Sequence, residues 1–205
     1  MKKFSYSLMY KYVLKRVIDF ILVLIILVVV GPILLLITIW LHFANKGAGA
    51  FFTQERPGKD GKIFRVIKFK TMTDERDTDG NLLPDAQRLT KVGRFVRSTS
   101  IDELPQLLNV LKGDMSLVGP RPHMLKHTEE YSHLINKYMV RHFVKPGITG
   151  WAQVTGFRGE TKELWQMEGR VQRDIWYIEH WTFLLDLYIM YKTVYNVIRG
   201  DKEAY

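Results

Sequence analysis

Two adjacent carboxylates, Asp102 and Glu103, stand at the head of a leucine-rich segment, flanked by cations at Arg97, Lys112 and Arg121. Phosphoryl transfer needs such a set: an anionic nucleophile or metal ligand, with positive charge nearby for the phosphate oxygens. The plainer reading is that the two acids only cap a helix. Leu104, Leu107, Leu108 and Leu111 recur at helical spacing, which predicts a helix with that stripe as its core face. Gly113 follows the last leucine and reads as the stop. Ser100 and Glu103 fit a capping box, but a start at Ser100 puts Pro105 inside the helix, at about 3 kcal/mol. A start at Asp102 moves Pro105 into the first turn and sets both acids at the positive end of the helix dipole, which keeps them ionised.

The stretch Phe95–Pro122, FVRSTSIDELPQLLNVLKGDMSLVGPRP, resembles the central signature of the bacterial sugar transferases. Two further segments, Phe52–Met72 and Lys145–Gly156 (KPGITGWAQVTG), match the same family, so the resemblance covers nearly the whole chain. These are small monotopic phosphoglycosyl transferases that load a sugar phosphate onto a polyprenyl phosphate. The resemblance implies a UDP-sugar donor, undecaprenyl phosphate as acceptor, membrane phospholipid as surroundings and Mg²⁺ as cofactor. Nucleic acid is not an expected partner, and homo-oligomerisation is left open. It further implies that Asp102 is the nucleophile that carries the sugar phosphate as UMP leaves. Asp102 and Glu103 are then the expected magnesium ligands, and Lys68, Lys70, Arg97, Arg121, Pro122 and Gln153 the expected substrate contacts. The C-terminal half resembles the hexose-1-phosphate enzymes of exopolysaccharide, capsule and O-antigen assembly, so glucose or galactose is the expected sugar. The large N-terminal membrane region that many of those enzymes carry is a point of departure.

The elements that must hold these residues read as one catalytic domain, 46–205, behind a basic N-terminus and membrane anchor, 1–45. The chain has 205 residues, 47% of them hydrophobic, and no cysteine, so neither disulfides nor thiolate metal sites enter. A net charge of +9 points to anionic partners. Lys2, Lys3, Lys11, Lys15 and Arg16 suit an anionic membrane surface, at about 1 kcal/mol per cation. The uncharged run Phe20–Trp40 is a membrane segment, with Asp19 at its entry expected to be neutralised by Lys15 or Arg16. Carried to Phe43 it would reach roughly 36 Å as a straight helix, enough to cross. Gly31-Pro32 divides it into limbs of some 18 Å, too short to span, and cations on both flanks favour one side. A simple span with a tolerated proline is the alternative. The family resemblance implies a re-entrant helix-break-helix on the cytoplasmic face of the bacterial inner membrane.

The rest reads as an α/β but mostly helical globule. Ala50–Gln54 and Lys62–Phe69 form a β-hairpin, with Lys68 and Lys70 on one strand face. Leu134–Phe143 reads as a helix, and KPGITG as a rigid loop whose backbone N–H groups could cradle an anion or simply turn the chain. Leu164, Met167, Val171, Ile175 and Ile178 predict a core stripe. The last helix, bearing Leu184, Leu187, Tyr188, Tyr191, Val194, Tyr195 and Ile198, suits either a core or the interfacial headgroup zone. His123 and His127 share i, i+4 spacing but lack a third ligand, and are read as ordinary helix histidines. Two rivals stand against the transferase: a basic membrane-anchored protein that only binds anionic lipid, and a nucleotide-sugar hydrolase.

Overall fold

The computed structural model describes residues 13–45, 47–159 and 161–199, so Lys2, Lys3 and Lys11 lie outside the described residues. The apolar run forms one helix, α1 (Lys15–Ala44), long and apolar enough to cross a membrane by length and composition. It is helical through Gly31 and Pro32, so the expected break is not a gap in secondary structure. The missing N–H of Pro32 removes one backbone bond, which a helix can lose without unwinding.

Both ends of α1 pack into the globule. Val23 is fully buried in the central core with Val66, Leu107, Val110, Met115, Val118, Tyr177 and Ile189. Ile37 and Leu41 join Ala50, Phe69 and Val96 in a second cluster. The outward face of its middle is bare, with Val28, Val29, Leu35 and Leu36 all more than three-fifths exposed, while Ile26 and Leu27 on the inward face pack against the first cluster and Leu34 against the second. The polar residues at the start of the helix also turn inward. Lys15 Nζ pairs with Asp186 Oδ2 at 2.5 Å rather than with Asp19. Asp19 accepts from Ser116 Oγ at 2.6 Å, and Arg16 donates to the carbonyls of Val110 and Leu111. Asp19 is therefore satisfied by a hydroxyl, and Arg16 serves as a cationic cap on another helix's C-terminus.

The hairpin is present, as antiparallel β1 (Phe51–Pro57) and β2 (Ile63–Phe69), with Phe51 opposite Phe69 and Pro57 opposite Ile63. Its first strand runs to Pro57, beyond the expected end at Gln54. Helix α2 (Lys91–Ser98) follows, started by Thr90, whose hydroxyl accepts from Gly93 N. The central segment is a 3₁₀ turn, Ile101–Gln106, running into α3 (Leu107–Lys112). It begins one residue before Asp102, behind Ser100 in left-handed conformation, and no capping box forms. Pro105 is accommodated because a short 3₁₀ turn asks fewer N–H bonds of it. Leu107 is in the core and Leu111 packs against it, as expected, but a 3₁₀ turn advances three residues per turn, so the buried face is rotated relative to the full leucine stripe. Leu108 is exposed, whereas Asn109 and Val110 are fully buried. Gly113 ends α3 at φ 94°, as expected.

Two short strands, β3 (Ser116–Val118) and β4 (Gly147–Thr149), pair in parallel. KPGITG is thus a strand, and its backbone is engaged: Gly147 N donates to Pro120 O at 2.9 Å, and Gly119 N to Thr149 O at 2.9 Å. Between them lie α4 (Leu125–Leu134) and a 3₁₀ segment, Tyr138–Phe143, in place of the single helix expected over 134–143. Lys137, left-handed at φ 61°, separates the two. Helix α5 (Leu164–His180) opens on a capping box between Glu163 and Gln166. It buries Met167 and Val171 as expected, and also Arg170, Asp174 and Tyr177, while Leu164 is exposed. Helix α6 (Phe183–Arg199) buries Ile189 and Asp186. Its predicted apolar face, including Leu184, Tyr191, Val194 and Ile198, lies open.

Candidate active site

Asp102 and Glu103 have opposite environments although they are neighbours. Glu103 is gripped by cations: Lys68 Nζ donates to its Oε1 at 2.7 Å, and Arg121 Nη1 to its Oε2 at 2.9 Å. Arg121 Nη2 also donates to Oε1, completing a two-point guanidinium pair. Burial by itself would raise the Glu103 carboxyl, but Arg121 and then Lys68 outweigh it and hold the group well below the usual carboxylate range. Asp102 makes no ion pair or side-chain hydrogen bond among the described residues. Burial first, then the Glu103 charge, push its carboxyl up to about 6, against the opposing pull of Lys68, Arg121 and Arg97. A carboxylate that is ionised at neutral pH, basic for its kind and not engaged by another group is suited to nucleophilic attack.

Both acids line a cleft of about 710 Å³, together with Lys68, Lys70, Arg97 and Arg121. Lys70 is partly committed, to Asp74 and to Ala48 O at 3.0 Å. Two of the predicted contacts lie elsewhere. Pro122 lines a smaller adjoining pocket, and Gln153 a cavity of about 300 Å³ that shares Ser100, Glu103 and Arg158 with the cleft. Gln153 is buried, with Nε2 donating to Ile148 O at 3.3 Å. It lies on the buried side of the short helix Trp151–Val154 that follows β4, together with Ala152.

Three residues that hold this geometry are not apparent from the sequence. Asn109 donates to Arg65 O at 2.7 Å and accepts from Ile67 N at 3.0 Å, so it locks β2, and with it Lys68, to the helix of the two acids. Arg141 donates to Arg121 O at 2.8 Å while its guanidinium is held by Asp174 at 2.7 Å, both side chains buried. This pair fixes the backbone beneath Arg121. Asn109 carries a signal, a polar residue amid leucines; Arg141 and Asp174 lie 33 residues apart and carry none. His123 is buried, its Nδ1 2.8 Å from Tyr138 Oη and also contacted by Arg141. Burial, then Arg141 and Arg170, push its imidazole well below the ordinary histidine range, so it is neutral.

As a magnesium site the dyad fits unevenly. The unengaged carboxylate of Asp102 is the hard oxygen donor that Mg²⁺ takes. Glu103, with both oxygens accepting from Arg121 and one also from Lys68, is not free to ligate in this arrangement.

A family model described as "Bacterial sugar transferase" matches residues 10–200. The chain belongs to the bacterial sugar transferase family. Among its relatives is an uncharacterised sugar transferase, EpsL, of Bacillus subtilis, 48% identical over 92% of this chain and 89% of the relative. A UDP-glucose:undecaprenyl-phosphate glucose-1-phosphate transferase of Klebsiella pneumoniae is 49% identical over 94% of this chain. An undecaprenyl-phosphate galactose phosphotransferase of Salmonella typhimurium is 38% identical over 92%. This sugar transferase spans only 42% and 41% of those last two proteins.

Proposed function

We propose that this sugar transferase moves a hexose-1-phosphate, glucose or galactose, from a UDP-sugar to undecaprenyl phosphate through a covalent intermediate on Asp102. The observation that carries the reading is the asymmetric dyad: Asp102 is unengaged, while Glu103 fixes Lys68 and Arg121 beside it. In the first step an Asp102 oxygen bonds to the β-phosphorus and the bond from that phosphorus to the bridging oxygen breaks. The bridging oxygen leaves with UMP. In the second, an oxygen of undecaprenyl phosphate bonds to the same phosphorus, the aspartyl–phosphorus bond breaks, and the carboxylate is regenerated. No proton need be transferred in either step. Lys68, Arg121 and Arg97 offset phosphate charge as the carboxylate approaches. Magnesium, held by Asp102 and the donor's phosphate oxygens, would supply further charge neutralisation.

A monotopic position on the cytoplasmic face of the inner membrane suits this chemistry, because one substrate is water-soluble and the other lipid. Its support is that α1 lies along the globule with one face packed on two of its clusters, while the opposite face is bare and apolar. A helix held along the globule in this way beds its bare face in the bilayer on the globule's own side, and the open apolar face of α6 extends the contact. The relatives named for glucose and galactose transfer support the choice of hexose.

The test is incubation of the detergent-solubilised chain with UDP-glucose and UDP-galactose, with and without undecaprenyl phosphate. A sugar phosphate retained on the protein before acceptor is added, and chased into lipid afterwards, is the expected result. Steady UMP release that ignores the acceptor would make the protein a hydrolase, and no turnover in either arm would favour simple lipid binding.

A further inference from the structure

A second pocket, of about 150 Å³, shares Lys68 and Arg121 with the large cleft but is not lined by Asp102. Its wall adds two more guanidinium groups, Arg56 from the end of β1 and Arg170 from α5, with Gln106 and His123 between them. Neither Arg56 nor Arg170 has a carboxylate within ion-pair distance among the described residues. Arg170 is 7% exposed, and its Nε is buried without a hydrogen-bond partner. The other two guanidinium nitrogens are used, Nη2 on Gly159 O at 2.7 Å and Nη1 at 3.5 Å from His123 Nε2. Arg56 Nη2 donates to Gln54 Oε1 at 2.6 Å.

A buried cation with no direct ion pair is costly, and the unmet buried N–H of Arg170 adds to that cost. Glu103 and Asp174 offset Arg56 and Arg170 only at longer range. Both arginines bear the strain of this crowding. Burial, then Arg121, lowers Arg56 to about 10, and burial, then Arg141 and Arg121, lowers Arg170 to about 10. An anion entering the pocket would supply the counter-charge that both arginines lack at ion-pair distance. The volume admits a tetrahedral oxyanion but is too small for a whole nucleotide sugar.

We propose that Arg56 and Arg170 form a second phosphate subsite, which receives a phosphate group of one of the two substrates while Asp102 engages the reacting phosphorus. The inference rests on the transferase reading. Lys68 and Arg121, shared by the two pockets, then bridge two phosphate groups. The two sources, the nucleotide donor and the polyprenyl phosphate, are separated by kinetics. Arg56→Gln, at the half-buried rim, tests the site without touching the core, and Arg170→Gln tests its interior. Each is expected to raise KM at least tenfold for one substrate, with kcat within about threefold. A shift for UDP-glucose assigns the pocket to the donor; a shift for undecaprenyl phosphate assigns it to the acceptor. Unchanged KM for both in Arg56→Gln overturns the proposal. Tungstate, a phosphate isostere with a strong anomalous signal, gives a readout independent of turnover. Crystals of the full chain grown with it should show a peak between Arg56 and Arg170, and a peak confined to the Asp102 cleft, or none, overturns the subsite even if transfer is confirmed.

Discussion

Arg121 holds both carboxylate oxygens of Glu103, and Arg141 holds the main-chain carbonyl of Arg121 from behind. Glu103 is thereby a structural anion that orients cations, and the burden of chemistry falls on its neighbour.

Asp102→Asn should abolish formation of the covalent sugar phosphate while raising stability. The native carboxyl titrates at about 6, above its ordinary 3.8, so between those values the folded state binds the proton more tightly. Stability therefore falls as pH rises from about 4 to 6, and asparagine escapes that loss. Thermal melting at pH 7.5 should show a gain on the order of 1 kcal/mol after allowance for solvent screening, vanishing below pH 4.

The same titration shapes activity. Single-turnover UMP release should rise with pH through about 6 and then level off, because only the ionised carboxylate attacks. A profile flat from pH 5 to 8 would contradict Asp102 as the group that must lose a proton.

Glu103→Gln removes the neighbouring negative charge that helps to raise Asp102. The acid limb of the UMP-release profile should move to lower pH. Release should also slow by roughly tenfold or more, since Lys68 and Arg121 lose charge-assisted bonds each worth about 1.5–3 kcal/mol. Loss of rate without a moved limb would show that Glu103 acts otherwise than through charge.

Asn109→Ala leaves Arg65 O and Ile67 N without their buried partner. Melting should fall by about 2–3 kcal/mol. KM for the UDP-sugar should rise, because β2 carries Lys68 and is no longer locked to α3.

Gly147→Ala should prevent correct folding. A Cβ there would sit 2.1 Å from Gly119 N, backbone against backbone, with no side chain able to yield. Expression with loss of a cooperative melt is the expected outcome, and a normally melting variant would mean that β3 and β4 are not paired so closely.

Much of this site was legible from residue order. Asp102, Glu103, Lys68, Arg97 and Arg121, expected at the site from the acid pair with its flanking arginines and from the family resemblance, line one cleft. The hairpin and Gly113 stop follow from turn residues whose backbone needs are local. What failed was angular or distant. Leu108 was expected inside, but the 3₁₀ turn through Pro105 changes the rotation per residue and brings Asn109 and Val110 inward instead. Gln153 carries a motif match and lines a cavity that shares Ser100, Glu103 and Arg158 with the cleft, a placement that composition does not give. Arg141 and Asp174 look like surface charges in their own segments, and only tertiary contact makes them a buried pair.

The burial of Val23 and Leu41 at opposite ends of α1 has a practical consequence for anyone wanting a water-soluble form of this protein. Excising the greasy N-terminal rod would also tear plugs from two interior clusters, and with them the Arg16 and Asp19 anchors, leaving a hollowed remnant. Repainting the outward ridge at Val28, Val29, Leu35 and Leu36 with polar side chains, and keeping the inward one intact, is the route that spares the catalytic body.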